Sequence, residues 1–150
     1  MSLSKDVMTA MKAAMKAKDQ DALAALRAVK SAILLAQTES AAKEELTEDQ
    51  EVKLLQKLVK QRKDSAAIFK EQGREDLVGP EISQAEVISR FLPAQLSEAE
   101  VAKVIEEVIA AIGAESMKDM GKVMGQVSAK LAGQADGKTI SNIVKQKLSN

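Results

Sequence analysis

The 150-residue chain has no cysteine, histidine, tryptophan or tyrosine, and its only aromatic residues are Phe69 and Phe91. Without histidine or cysteine, zinc, haem and iron–sulfur centres lose their usual donors, leaving only carboxylates for a hard ion such as magnesium. No metal site and no cofactor are therefore expected. The commonest general base near neutral pH and the commonest thiol nucleophile are missing too, so no catalytic residue is assigned. Without Trp or Tyr there is no platform for stacking splayed bases, so a nucleic-acid contact would read backbone and shape. Two prolines and seven glycines are few for a protein of many hairpins. No apolar run approaches the length of a membrane span, and the opening MSLSKDVMTAMKAAMKAK lacks the continuous apolar core of a signal peptide. A cytoplasmic protein without membrane contact is expected. The lysine-bearing stretch 5–18 reads as a packed amphipathic helix, because Asp6 and its modest side chains suit a membrane surface poorly.

Apolar residues make up 45% of the chain, mostly Ala, Val, Leu, Ile and Met, which favours a core of aliphatic helices. Residues 3–17 carry Val7, Met8, Met11 and Met15 at helical spacing. Asp19 opens a second helix with Leu23, Leu26, Val29, Ile33 and Leu34 on one face, fading over Ser40 to Glu45. Thr47 and Gln50 form a capping box for a third helix with Val52, Leu55, Val59, Ala66 and Phe69, which Gly73 ends. In the next stretch, Gly79-Pro80 predicts a break or kink. Ser83 and Glu86 then cap a helix holding Val87, Ile88, Phe91 and Leu92, which Pro93 stops.

Ser97 and Glu100 form a second capping box, with Leu96 against Val101 as a hydrophobic staple. Val101, Val104, Ile105, Val108, Ile109 and Ile112 make one apolar face, and Gly113 caps the end. Ser116 with Asp119 opens the next helix. Asp136 caps the last, whose face is Ile140, Ile143, Val144 and Leu148. The pattern predicts an all-α chain: a four-helix N-terminal domain of helical hairpins over residues 1–93 and a three-helix domain over residues 94–150.

Charge is balanced overall, with 22 basic and 22 acidic residues, but unevenly placed. From Lys53 to Arg74 the basic residues Lys53, Lys57, Lys60, Arg62, Lys63, Lys70 and Arg74 face only Asp64 and Glu71. Arg62 falls on the apolar stripe. Its stem either packs while the guanidinium reaches an acid among Glu44 to Glu51, or it serves a ligand or interdomain role. Near the C-terminus the helix at 98–112 is acidic, with Glu98, Glu100, Glu106 and Glu107 against Lys103. The two helices after it are basic, so a polyanion would approach that side.

Within Ser116 to Lys138, Met117, Met120, Met124, Val127 and Leu131 read as a core stripe. Beside it lie Lys118 and Lys122, then the small residues Gly121, Gly125, Ala129 and Ala132. A helix-interior glycine costs about 1 kcal/mol relative to alanine, so something must approach that backbone: a packed helix, or a phosphate backbone resting between lysines. The loop before Gly137 and Lys138 leads into a helix N-terminus whose free amides favour an anion. Gly133 to Lys138 is one residue short of a P-loop, which argues against nucleotide hydrolysis.

Phe91-Leu92-Pro93-Ala94-Gln95-Leu96-Ser97, SMKDMGKVMG and ADGK together resemble the GatB/YqeY family. Lys60-Gln61-Arg62-Lys63-Asp64-Ser65-Ala66 and Gly73-Arg74-Glu75-Asp76-Leu77 are similar to its free-standing YqeY-like branch. The resemblance covers nearly the whole chain. It implies an all-α protein whose C-terminal domain is similar to the tail of the GatB subunit of tRNA-dependent amidotransferases, which engages the outer body of tRNA. Gly79-Pro80 departs from the charged continuous helix common in that branch. The resemblance implies tRNA as partner, with amidotransferase subunits or other translation proteins as further candidates, and no DNA. The residues expected at the RNA are Lys118, Gly121, Lys122, Gly125, Lys130, Gly137 and Lys138. Lys53, Lys57, Lys60, Arg62 and Lys63 form a secondary basic face suited to a protein partner. A carbon–nitrogen ligase role with glutamine as amido donor is the enzymatic alternative, as one component or a helper of such a ligase.

Overall fold

A computed structural model describes residues 2–39 and 45–149. Helix starts follow the local side-chain chemistry. The Ser2 hydroxyl accepts from the Lys5 amide and opens α1, Leu3–Ala17. The Asp19 carboxylate accepts from the Ala22 amide at 3.1 Å and opens α2, Gln20–Glu39. Thr47 and Gln50 make the reciprocal pair that starts α3, Glu48–Glu71. Gly73 and Gly113 adopt left-handed backbone, φ 70° and 68°, where a side chain would be strained. They follow α3 and α5, Glu98–Ile112.

One correction concerns Gly79-Pro80. The helix does not break there: α4 runs Glu75–Ser89 with Pro80 inside it, and Ser83 is an interior residue rather than a cap. Val78, Ala85 and Ile88 are buried at spacings of seven and three, one face that only an uninterrupted helix keeps aligned. Pro80 cannot donate to the Asp76 carbonyl, but Pro80 and Asp76 are both exposed, so water can satisfy that group. The helix also ends before Pro93, leaving Phe91 and Leu92 beyond it, half-buried against the core.

Among the described residues there are seven α-helices, one 3-10 turn and no strand. The chain divides into two compact units, one reaching to Leu92 and one beginning at Pro93. In the first unit α1 packs on α2, α3 on α4, and α2 against both α3 and α4. Leu26, Leu55 and Ile88 are the largest fully buried side chains there. In the second unit α5, α6 (Met120–Leu131) and α7 (Gly137–Ser149) each touch the other two. Ile105, Val101, Val123, Val127 and Val144 are completely buried in its core.

The expected apolar faces need adjusting. Met8 and Met15 are 45% and 62% exposed; beside the expected Val7, α1 buries Leu3 and Ala14. Leu34 is exposed, and α2 buries Ala22 and Ala25 beside the expected Leu23, Leu26, Val29 and Ile33. The predicted fading of α2 over Ser40 to Glu44 lies outside the described residues.

Burial and then Glu48 push the Glu51 carboxyl above the usual carboxylate range, helped by Glu45 and Asp6 and opposed by the Leu3 amide. The folded state therefore holds this proton more tightly than the unfolded chain. The resulting cost is absent below the unfolded pKa and grows as pH rises through it. Glu51→Gln is expected to raise the melting temperature at pH 7, with the gain gone below about pH 4. Thermal melts across pH would check this; an equal gain at every pH would contradict it.

Candidate nucleic-acid interface

The segment after α5 opens with Ser116 in extended backbone. Its hydroxyl accepts from the Lys118 amide at 3.3 Å. The Asp119 carboxylate accepts from the Glu115 and Ser116 amides at 3.0 and 3.4 Å. Those two amides hold the Asp119 carboxyl below the usual range, with Lys122 adding to the effect. This box starts a 3-10 turn over Met117–Asp119 that passes directly into α6.

On α6 the buried residues are Val123, Val127 and Leu131, one helical turn apart. Met120 and Met124 are half-buried against this core, but Met117 is 43% exposed. The methionine stripe is therefore displaced toward the surface at its start, and Val123 takes the central position. Residues 123, 127 and 131 share strict i, i+4 spacing, a signal the sequence carried and the methionines obscured.

Lys118, Lys122, Gly121 and Gly125 all lie on the exposed side of this segment. A β-carbon built on Gly121 or on Gly125 would meet nothing within 4 Å, the helix's own neighbouring turns aside. Among the described residues of its own unit, no other helix packs against either glycine. Ala129 and Ala132 continue the small-residue strip and are also exposed. Ala132 ends α6 in left-handed backbone, φ 45°, and Gly133 follows at φ 87°.

Lys130 stands on a different flank, at the rim of an open groove of about 410 Å³ between α5 and α6 lined by Val108, Ala111, Gln126 and Ala129. Gln126 went unremarked in the sequence, yet it extends the i, i+4 row of Lys118 and Lys122 toward Lys130. Gly137 and Lys138 are exposed in the first turn of α7. The Asp136 carboxylate accepts from the Thr139 amide at 2.6 Å. The chain's own anion thus sits at the helix N-terminus where an external one was expected, leaving Lys138 as an exposed cation beside it.

Gln95 was also missed. Its amide donates to the Pro93 and Gly133 carbonyls at 2.8 and 3.0 Å, while the Leu96 amide donates to the Gln134 carbonyl at 2.9 Å. Residues 93–96 thus strap the loop between α6 and α7. On the acidic helix, Glu106 pairs with Lys147 at 2.5 Å and joins α5 to α7. The Ser97 amide and hydroxyl hold the Glu100 carboxyl low.

On α3 the secondary basic face separates into two parts. Lys53, Lys57, Lys60 and Lys63 are exposed, and Lys60 pairs with Asp64 at 3.1 Å. Arg62 is half-buried, donating to the Leu58 carbonyl at 3.4 Å, and its Nε is buried without a hydrogen-bond partner. Among the described residues it forms no ion pair, so the expected acid within Glu45 to Glu51 does not meet it; Glu44 lies outside them. The described residues hold no acidic cluster able to bind a metal ion, and none of their helices is long and apolar enough to cross a membrane.

Residues 4–148 match the family described as Yqey-like protein. The chain is similar to a glutamyl-tRNA(Gln) amidotransferase subunit of Thermococcus gammatolerans, 42% identical over 84 residues, 53% of this chain and 13% of that protein. For the corresponding protein of Thermococcus sibiricus the values are 33% over 96 residues, 61% and 15%. Altered inheritance of mitochondria protein 41, a mitochondrial protein of Pyrenophora tritici-repentis, is 29% identical over 140 residues, 91% of this chain and 75% of that protein. The chain thus spans about one seventh of the length of the amidotransferase subunits it matches.

Proposed function

We propose that the chain, which belongs to the YqeY-like family, binds the body of tRNA through the outer face of α6 and does no chemistry of its own. The observation that carries this reading is the pair of glycines on α6. They are open to solvent, with nothing against them, beside Lys118 and Lys122. Bare backbone between two cations allows a phosphate strand to come closer than any side chain would permit. The choice of tRNA is supported by the relatives, whose name includes glutamyl-tRNA(Gln). The absence of Trp and Tyr suits recognition of shape and backbone, and the lack of histidine and cysteine suits a binding role.

Lys118, Lys122, Lys130 and Lys138 are the proposed phosphate contacts. With four of them engaged, log affinity should fall against log salt with a slope of about −3 to −4. The charge reversal Lys118→Glu/Lys122→Glu is expected to weaken binding by more than ten-fold, to a similar degree for tRNAs of different sequence. Titrations of purified chain with tRNA transcripts and with a flexible single strand of equal length test the reading. Equal affinity for the two would overturn it. Amide transfer from glutamine by the purified chain would replace it with the ligase alternative.

A further inference from the structure

We infer that the outer face of α3 is a second RNA-backbone surface, separate from α6 and carried by the other unit. Between residues 53 and 63 there are five basic residues and no acidic one. Lys53, Lys57, Lys60 and Lys63 follow one another at steps of four, three and three, so each lies one turn from the next, and all four are exposed. The row is about 15 Å long at 1.5 Å per residue. Leu55, Val59 and Ala66 bury the side of the helix opposite Lys53, Lys57 and Lys60, with Lys63 at its edge. Lys53, Lys57 and Lys60 stand clear of α2 and α4, while Lys63, also exposed, lies at the edge of the α3–α4 groove beside Glu86.

Local physics offsets this row only in part, through Asp49 one turn before Lys53 and Asp64 one turn after Lys60. Like charges one turn apart destabilise a helix. The helix dipole favours cations only in the last turn, whereas the row occupies the middle. Among the described residues its one ion pair is Lys60 with Asp64, which is largely exposed. Acids do occur on α3, but Glu48, Asp49 and Glu51 sit in its first turn, ahead of the row. A partner that brings negative charge would remove the repulsion.

The side chains select the class of partner. Protein interfaces are depleted in lysine and anchored by tryptophan, tyrosine and arginine. Here the exposed residues from 53 to 63 include no aromatic or aliphatic anchor, and Arg62 is half-buried and bonded to the Leu58 carbonyl of its own helix. Lysines on flexible stems, without anchors, fit a phosphate backbone, where affinity comes from counterion release. The proposal rests on the α6 reading only for the choice of RNA over another polyanion.

The test uses the full chain and an unmodified tRNA transcript, with affinity measured at several salt concentrations. Lys53→Gln/Lys57→Gln/Lys63→Gln is compared with Lys5→Gln/Lys12→Gln/Lys16→Gln on α1, which removes the same charge, and with Lys118→Gln/Lys122→Gln. Circular dichroism verifies that each variant is folded. The α3 variant is expected to make the log–log salt slope shallower by about 2–3 and to weaken binding at least ten-fold at low salt, with the α1 control unchanged. If the α3 variant loses slope and the α6 variant does not, this inference stands and the α6 reading falls. A wild-type slope in the α3 variant overturns the inference whatever the α6 variant does. A loss confined to a polyglutamate peptide overturns it in favour of an acidic protein partner. Equal loss in the α1 control overturns it as well, since net charge alone would then account for the effect.

Discussion

Replacing Gly121 and Gly125 together by alanine is expected to stabilise the protein and, at the same time, to weaken tRNA binding at least ten-fold. The two effects have separate origins. At neither position does a built β-carbon come within 4 Å of any described atom beyond its chain neighbours and the helix's own nearby backbone, so alanine introduces no clash. Alanine also removes the helix-interior penalty of glycine, about 1 kcal/mol at a full interior site. Gly125 lies in the middle of α6 and should give most of that gain. Gly121, the second residue of α6, should give less. For a unit of this size, 1 kcal/mol corresponds to a rise in Tm of about 4–8 °C. The binding loss would follow from two methyl groups holding a phosphate strand away from the backbone between Lys118 and Lys122. Thermal melts and tRNA titrations on the same preparation read both effects. A stabilised variant that binds tRNA as before would leave these glycines without the role proposed for them.

Ile105→Ala is expected to have the largest effect on stability. Ile105 is completely buried among the core residues of the second unit. Truncating such a side chain costs about 2–5 kcal/mol, because the lost transfer energy is joined by an unfilled cavity. A unit of about 60 residues has roughly 3–9 kcal/mol in total. The substitution therefore removes a large part of that reserve, and all of it if the unit lies toward the low end of the range. Calorimetry should show the melting of the second unit shifted far down or lost, while a transition from the unit ending at Leu92 persists. Loss of tRNA binding should accompany it. If the whole chain melted in one step at a lower temperature, the two units would be thermodynamically coupled.

How much was legible beforehand depends on how far apart in the chain the deciding atoms lie. The pairs Thr47 with Gln50 and Ser97 with Glu100, and the caps at Asp19, Asp136, Gly73 and Gly113, were all readable. Each closes within a few residues, where side-chain chemistry competes only with its own backbone. The face of α7 was also readable, because Ile140, Ile143, Val144 and Leu148 are its regularly spaced large aliphatics, and all four are buried. In α1 and α6, methionines crowd next to smaller apolar residues. There the spacing allowed more than one stripe, and the neighbouring helices buried Leu3, Val7, Ala14 and Val123 in preference to Met8, Met15 and Met117.

The sequence by itself determined an all-helical chain, most of its helix starts and stops, and a chemistry confined to lysine, carboxylate and hydroxyl groups. Those properties follow from composition and from contacts within a turn or two of the chain. Tertiary structure alone decided that α4 continues through Pro80, that among the described residues Arg62 meets no acid from Glu45 to Glu51, and that Gly121 and Gly125 face solvent. Each of these depends on whether a partner surface covers a position, and that partner is brought there by packing from elsewhere in the chain. A glycine next to another helix and a glycine next to water look alike in sequence, since both are defined by the atoms around them.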